Sequence, residues 1–426
     1  MPTDRRTAPT CHRACRPALA ACALALASAA ALGQASPYYI GLSLSRGHES
    51  NVLQLADGVE PAPGFERADD VTATSLLAGF DQRISRQRVF GSMALRSYRY
   101  TNNAALDNLG YSASAGLDWA TAERISGTLR VAGERSLSLY DEQLGVLAGK
   151  NLVTSKSVNG SVSVGVITQY SLELAGGRRD VGYSLDNPVV RSREFKQDNG
   201  SLGLRWRPSG ITSVSLSLSA TRGVYPKFTT TAAGEDSADR FKRSSVDLAL
   251  SMQPTGASSV DARISNGKTR FDLNQERDFA GTTGIVSWSW QATGKLKTNV
   301  FATRETGQDS YAVLQLNFLP ATLDYSRVTS AVGFKLDHDL TAKVALTAGY
   351  GVYRRSLVAT TIGPIPQAPR AGSDSTANLT LGVRWTPWRS TLLGCNHASS
   401  RRSASGELTA PGRSTSFSCY GQVTLQ

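Results

Sequence analysis

Residues able to carry acid-base, nucleophilic or metal chemistry are few and far apart in this chain. Of its four histidines, His12 lies in the leader described below, while His48, His338 and His397 share no HExxH spacing; neither a CxxC pair nor a GxSxG elbow occurs. The local signatures of a zinc protease, a dithiol redox centre and a serine hydrolase are therefore missing. The segment HESNVLQLADG, His48 to Gly58, offers Glu49, Asn51 and Asp57 as calcium oxygens. Their spacing does not match an EF-hand, so the segment reads as a loop. A surface protease or acyltransferase would need acid, base and nucleophile gathered at one rim, which no spacing establishes. No catalytic residue, cofactor or metal ligand is expected.

Charge recurs with more order. Arg96, Arg130, Arg205, Arg263, Lys335, Arg384 and Arg401, with Asp118, Glu134, Asp247, Asp261 and Asp337 among them, stand at the parity opposite to apolar runs. Rings of Arg or Lys in a water-filled passage favour anionic solutes; a wall cross-linked by its own ion pairs is the alternative reading. Tyrosines gather elsewhere, at Tyr98, Tyr100, Tyr111, Tyr140, Tyr183, Tyr225, Tyr311, Tyr325 and Tyr353. They read as an interfacial aromatic belt or as a rim on which sugar faces stack.

The elements that must position these side chains are strands. Apolar residues recur at i, i+2 and i+4, as in Val214, Leu216 and Leu218 between serines, or Val246, Leu248, Leu250 and Met252. That period marks a sheet with one apolar and one polar face. Connections alternate between tight turns, near residues 82–86, 122–125, 169–170, 208–210, 254–257, 292–295, 339–342 and 388–390, and longer loops between them. Eight tight turns and nine long loops imply 18 antiparallel strands. Such alternation, with strands long enough to cross a bilayer at a tilt, predicts a transmembrane up-and-down β-barrel. Trp119, Trp206, Trp288, Trp290, Trp385 and Trp388 all fall at the tight-turn ends. One shared end is the position of a periplasmic aromatic girdle.

Residues 1–35 read as a secretory signal peptide, with Arg5, Arg6, Arg13 and Arg16 ahead of the apolar run Ala18 to Leu32 and a cut after Ala35. Residues 36–426 are then the barrel. Leu19-Ala20-Ala21-Cys22 resembles a lipoprotein box but leaves too few apolar residues ahead of its cut. Losing four arginines and Asp4 with the leader lowers the formal net charge from +12 to +9. An exported barrel accounts for that charge without nucleic acid. Only Cys395 and Cys419 remain. They lie on neighbouring strands, where a small adjustment of register makes them a disulfide; two isolated thiols are the alternative.

Three segments, YYIGLSLSRGHESNVLQLADG (38–58), AGFDQRISRQRVFGSMALRSYRYTNNAALDNLGY (78–111) and LDWATAERISGTLRVAGERS (117–136), resemble the EpsL-like outer-membrane barrels of exosortase-associated exopolysaccharide loci. The resemblance implies export of extracellular polysaccharide across the bacterial outer membrane. It also implies, as partners, outer-membrane lipid, periplasmic export components and the barrel-assembly machinery. A mildly basic lumen suits an acidic polymer. A general diffusion porin and a structural, adhesive or enzymatic surface barrel are the alternatives. The chain departs from barrels in general by ending in Leu425-Gln426 rather than in an aromatic residue.

Overall fold

The computed structural model describes residues 36–426 except 122–123, 139–149, 166–167, 231–234, 274, 315–319, 363–367, 369 and 407; side chains are not described at 188–189, 230, 276, 307–314, 320–326 and 360–362. The expected leader therefore lies outside the described residues. Eighteen strands follow in chain order: β1 (Tyr38–Glu49), β2 (Asp69–Ile84), β3 (Gln87–Tyr100), β4 (Asn108–Ala120), β5 (Ile125–Leu137) and β6 (Leu152–Val164). Then come β7 (Tyr170–Tyr183), β8 (Phe195–Ser209), β9 (Thr212–Thr230), β10 (Asp236–Thr255), β11 (Ser258–Phe271) and β12 (Phe279–Gln291). The last are β13 (Leu296–Leu314), β14 (Pro320–Asp339), β15 (Val344–Ile362), β16 (Arg370–Trp388), β17 (Thr391–Gly406) and β18 (Gly412–Leu425).

Each strand pairs antiparallel with the next, and β1 pairs with β18 from Ile40↔Leu425 to Glu49↔Ser416. The sheet is closed and has no edge. Tight connections join β2 to β3, β4 to β5 and so on through β16 to β17, where the turn residues of the sequence stand. Threonines organise two of them: Thr293 Oγ1 accepts the N–H groups of Lys295 and Leu296, and Thr341 Oγ1 accepts those of Lys343 and Val344. A hydroxyl thus takes up donors that the ladder leaves free at the turn.

Register carries one parity around the whole wall. Leu42, paired with Leu76 and Val423, begins an outward face that continues through Leu95, Leu117, Leu129, Leu174, Leu202, Leu218, Val246, Ile264, Val286, Val300, Phe334, Leu381 and Leu393. Much of it is bare, with Leu42 58% and Leu218 60% exposed. In a water-soluble protein so large an apolar surface would drive association; around a closed barrel it is the band that faces lipid. The core of this fold is therefore the membrane's hydrocarbon outside together with a polar lumen inside.

Glycines opposite aromatic rings pack the wall. Trp119 lies across Gly127, its register partner, and Phe90 across Gly116. A Cβ at either glycine would occupy the ring's own volume. Gly127→Val is expected to lower the unfolding midpoint in detergent, by the about 1–3 kcal/mol typical of overpacking. Urea titration read by tryptophan emission checks it; an unchanged midpoint would mean the ring does not need the space.

Candidate functional site: the lumen and its outer mouth

The inward parity is built of Ser, Thr, Asn, Gly and charge. On β8 and β9, for example, Gly203 and Arg205 face Ser217 and Ser215 across the register, while Leu204 and Leu216 face out. All six cations singled out from the sequence stand at inward positions: Arg96 opposite Gly110, Arg130 opposite Gly116, Arg205 opposite Ser171, Arg263 opposite Ile285, Lys335 opposite Gly349 and Arg384 opposite Gly394. Arg205 pairs with Glu173 at 2.8 Å, Lys335 with Asp337 at 3.2 Å, and Arg130 approaches Asp118 at 3.9 Å. Asp118 also meets Arg88 at 3.7 Å, and Arg88 and Arg130 both lie over the Phe90 ring. Arg96 and Arg384 are exposed to the lumen, and neither makes an ion pair among the described residues.

Arg401 departs from expectation. It shares the parity of Leu393 and Cys395 and points outward; its neighbour Arg402 faces the lumen. The strand runs one residue out of the phase assumed from sequence, because no large apolar residue marks the outward face after Leu393.

Among the described residues two cavities on the inward face stand out. One, of about 630 Å³, is lined along β3 to β8 by Ser92, Arg96, Ser112, Ser114, Glu134, Ser155, Asn159, Arg179 and Asn199. The other, of about 550 Å³, lies towards the outer mouth between Glu305, Arg327, Thr329, Tyr353, Arg355, Thr376, Asn378, Ser400 and Arg402, with Asn51, Gln54 and Leu55 of the first loop against it. A larger groove of about 990 Å³ is apolar and lies on the lipid-facing side, between Ile40, Ala78, Met93, Ala113, Ala115, Val131 and Val158. Being outside the wall, it is not a passage.

Sequence inspection missed the residues that shape the mouth. Arg355 Nε lies 2.8 and 3.0 Å from the two Asp374 carboxylate oxygens and Nη2 2.5 Å from one of them, while Thr409 Oγ1 donates to the same group at 3.0 Å. Arg277, 1% exposed, sits 3.3 Å from buried Asp239 and lies over the rings of Tyr225, Phe228 and Phe271. Asp69 accepts the backbone N–H groups of Asp70, Thr101, Asn102 and Asn103, and Asn103 in turn holds Glu66. Asp107 accepts the Tyr100 N–H and the Arg99 guanidinium, which hold its carboxyl below the usual range. Only the inward phase of Arg355 and Asp374 was open to a period-two reading; the loop contacts have no periodic signal.

The segment His48 to Gly58 is folded by Asn51 within it and by Arg67 beyond it. Asn51 bonds Leu55 through both N–H and C=O, and Arg67 donates to the carbonyls of Leu55, Ala56 and Val59. Among the described residues no three His, Cys, Asp or Glu groups could hold a metal. Across the mouth, the outer part of the β13–β14 hairpin reaches β9 and the single helical turn Pro188–Arg191, and Arg243 on β10 donates to Thr306 on β13 at 3.3 Å. The hairpin thus narrows the outer entrance.

Parity also sorts the aromatics. Trp119, Trp206, Trp288, Trp290 and Trp385 face outward at tight-turn ends, Trp288 and Trp290 stacked at 5.6 Å, and Trp388 stands 70% exposed at its turn. Of the tyrosines, Tyr98, Tyr100, Tyr183, Tyr225 and Tyr353 take inward positions near the mouth, and Tyr111 faces out. Tyr140, Tyr311 and Tyr325 lie outside the described side chains. An outer aromatic belt is therefore not what most of these rings form. Cys395 and Cys419 are register partners on the outward face and are joined by a disulfide.

Charge divides unevenly between the faces. Inward cations stand among the carboxylates of Asp81, Asp118, Glu134, Glu173, Asp247, Asp261, Asp337 and Asp374. The outward ends nearest the long loops carry Arg46, Arg99, Arg135, Lys156, Arg178, Lys196, Arg222, Arg240, Lys242, Lys268, Arg270, Arg304, Arg354, Arg401 and Arg413 against Asp70, Asp180 and Asp198.

No family model matches the chain, and no curated protein is similar to it. Among solved structures, Pseudomonas aeruginosa OccK2 (OpdF) is similar at 10% identity and TM-score 0.49 over 91% of this chain and 98% of its own. The P. aeruginosa outer membrane protein OpdK is similar at 13% identity and TM-score 0.45 over 91% and 98%. The siderophore receptor PirA of Acinetobacter baumannii gives 5%, TM-score 0.41, 92% and 81%.

Two outcomes are expected from this geometry. Arg96→Glu with Arg384→Glu should move the reversal potential of a planar-bilayer salt gradient towards cation preference; an unmoved potential would take both residues out of the ion path. Arg277→Ala, which strands the buried Asp239 carboxylate, should cost about 3 kcal/mol in denaturant stability and expose the 272–278 loop to protease.

Proposed function

We propose that the protein sits in the bacterial outer membrane, exported by its leader, and serves as a non-enzymatic conduit for extracellular polysaccharide. Its surroundings would be outer-membrane lipid, and periplasmic components would supply the polymer and the driving force. The observation that carries the reading is the inward face of the outer mouth: Tyr98, Tyr100, Tyr183 and Tyr353 take lumen-facing positions above walls of serine and asparagine. Tyrosine pairs an apolar face with a polar tip, which suits a sugar ring sliding past. Arg96 and Arg384, neither in an ion pair among the described residues, add positive charge to the passage, which suits an acidic polymer.

One observation favours a second reading, a diffusion porin for small solutes. The β13–β14 hairpin lies across the outer entrance, and a narrowed mouth suits small molecules better than a chain. Reconstituted protein separates the two. A polysaccharide conduit should show conductance that acidic polymer blocks, and Tyr98→Ala with Tyr353→Ala should weaken the block while leaving open conductance in place. A deletion strain should lose surface polymer. Loss of small-solute permeability alone, with polymer unaffected, would favour the porin.

A further inference from the structure

We infer that the outward cations at the long-loop ends of β9, β10 and β11 bind the headgroup phosphates of an anionic lipid in the leaflet on that side. The register sets Arg222 opposite Lys242 and Lys242 opposite Arg270, three cations in one row across adjacent strands. Arg240 and Lys268 lie one outward position to either side of that row. All five side chains are exposed. Two carboxylates border the cluster: Asp198, opposite Arg222 and 3.7 Å from Arg178, and Asp272, whose backbone N–H bonds the Arg240 carbonyl. Among the described residues none of the five makes an ion pair. Like charges placed directly opposite one another destabilise a sheet, and five cations against two bordering carboxylates leave an excess of positive charge that an external anion would offset.

Position decides which anion. Below the row on the same face come Ala220, Ser244 and Lys268, then Leu218 and Val246 with Asn266 beside them, and then Leu216, Leu248 and Ile264, the five apolar side chains all exposed. On β9 and β10 the four residues from cation to first apolar side chain span about 13 Å, less along the membrane normal when the strand tilts. The cations therefore stand at headgroup depth above acyl-chain depth, a sequence of environments that a phosphate-bearing lipid matches and a polymer in the lumen cannot reach through the wall. Several clustered cations near a membrane surface attract anionic lipid additively. The proposal does not rest on what passes through the barrel.

The test uses the full-length protein refolded in neutral detergent, with a diphosphorylated glucosamine-disaccharide lipid as probe. Its dephosphorylated form and inorganic phosphate are run beside it. Arg222→Gln/Lys242→Gln/Arg270→Gln should bind the phosphorylated lipid about a hundredfold more weakly, and Lys242→Gln alone should give a smaller loss if the triple variant fails to fold. Lys295→Gln/Arg389→Gln, at the tight-turn end, should bind as the unaltered protein does. Equal binding by the triple or single variant, or of the dephosphorylated lipid, would overturn the site. Inorganic phosphate or an acidic polymer bound by these residues as tightly as the lipid would overturn the lipid as its occupant. Bilayer conductance of the same variants reads the transport proposal separately.

Discussion

Hydrocarbon offers no partner to a backbone N–H or C=O, and the rest of this structure depends on that fact. A sheet can meet it only by closing, which here is the pairing of β1 with β18 over ten register partners. The disulfide between Cys395 and Cys419 ties β17 to β18 beside that seam. Closing a loop of that length is worth about 3 kcal/mol in the chain-entropy account, a local contribution next to a full ladder of hydrogen bonds.

Closure leaves each strand residue two environments and no third. A cation on the lipid face near the midplane costs about 2–4 kcal/mol, so the outward cations appear only past the apolar positions, as Arg46 does after Leu44 and Arg222 after Leu218 and Ala220. Inside, charges approach one another across a polar lumen and pair, as Arg205 does with Glu173. The chain's excess of positive charge thus lies mainly on the outside of the barrel, near the long loops, and less in the passage.

Beyond the ends of the ladder the same demand for partners is met by side chains. Asp69 gathers four backbone N–H groups, Asn51 and Arg67 fold the first loop on itself, and Arg277 pins the 272–278 loop over aromatic rings. Loops satisfied in this way hold a shape at the mouth, and with the β13–β14 hairpin they set how wide the entrance is.

Strand number, the alternation of tight and long connections, the tryptophan ends and the inward phase of Arg96, Arg130, Arg205, Arg263, Lys335 and Arg384 were all legible in the sequence. A period of two is local: one apolar residue in every pair declares both faces of its strand. Where that marker lapses, phase is lost, as at Arg401, and the tyrosines could not be assigned to lipid or lumen from their clustering alone. The sequence by itself determined a closed sheet with an apolar outside. Only the tertiary structure decided which cations find carboxylates, which rings look into the mouth, that Cys395 meets Cys419, and that Arg222, Lys242 and Arg270 share one row. Those facts depend on register between strands, and register sums over turns and bulges that no single strand's pattern records.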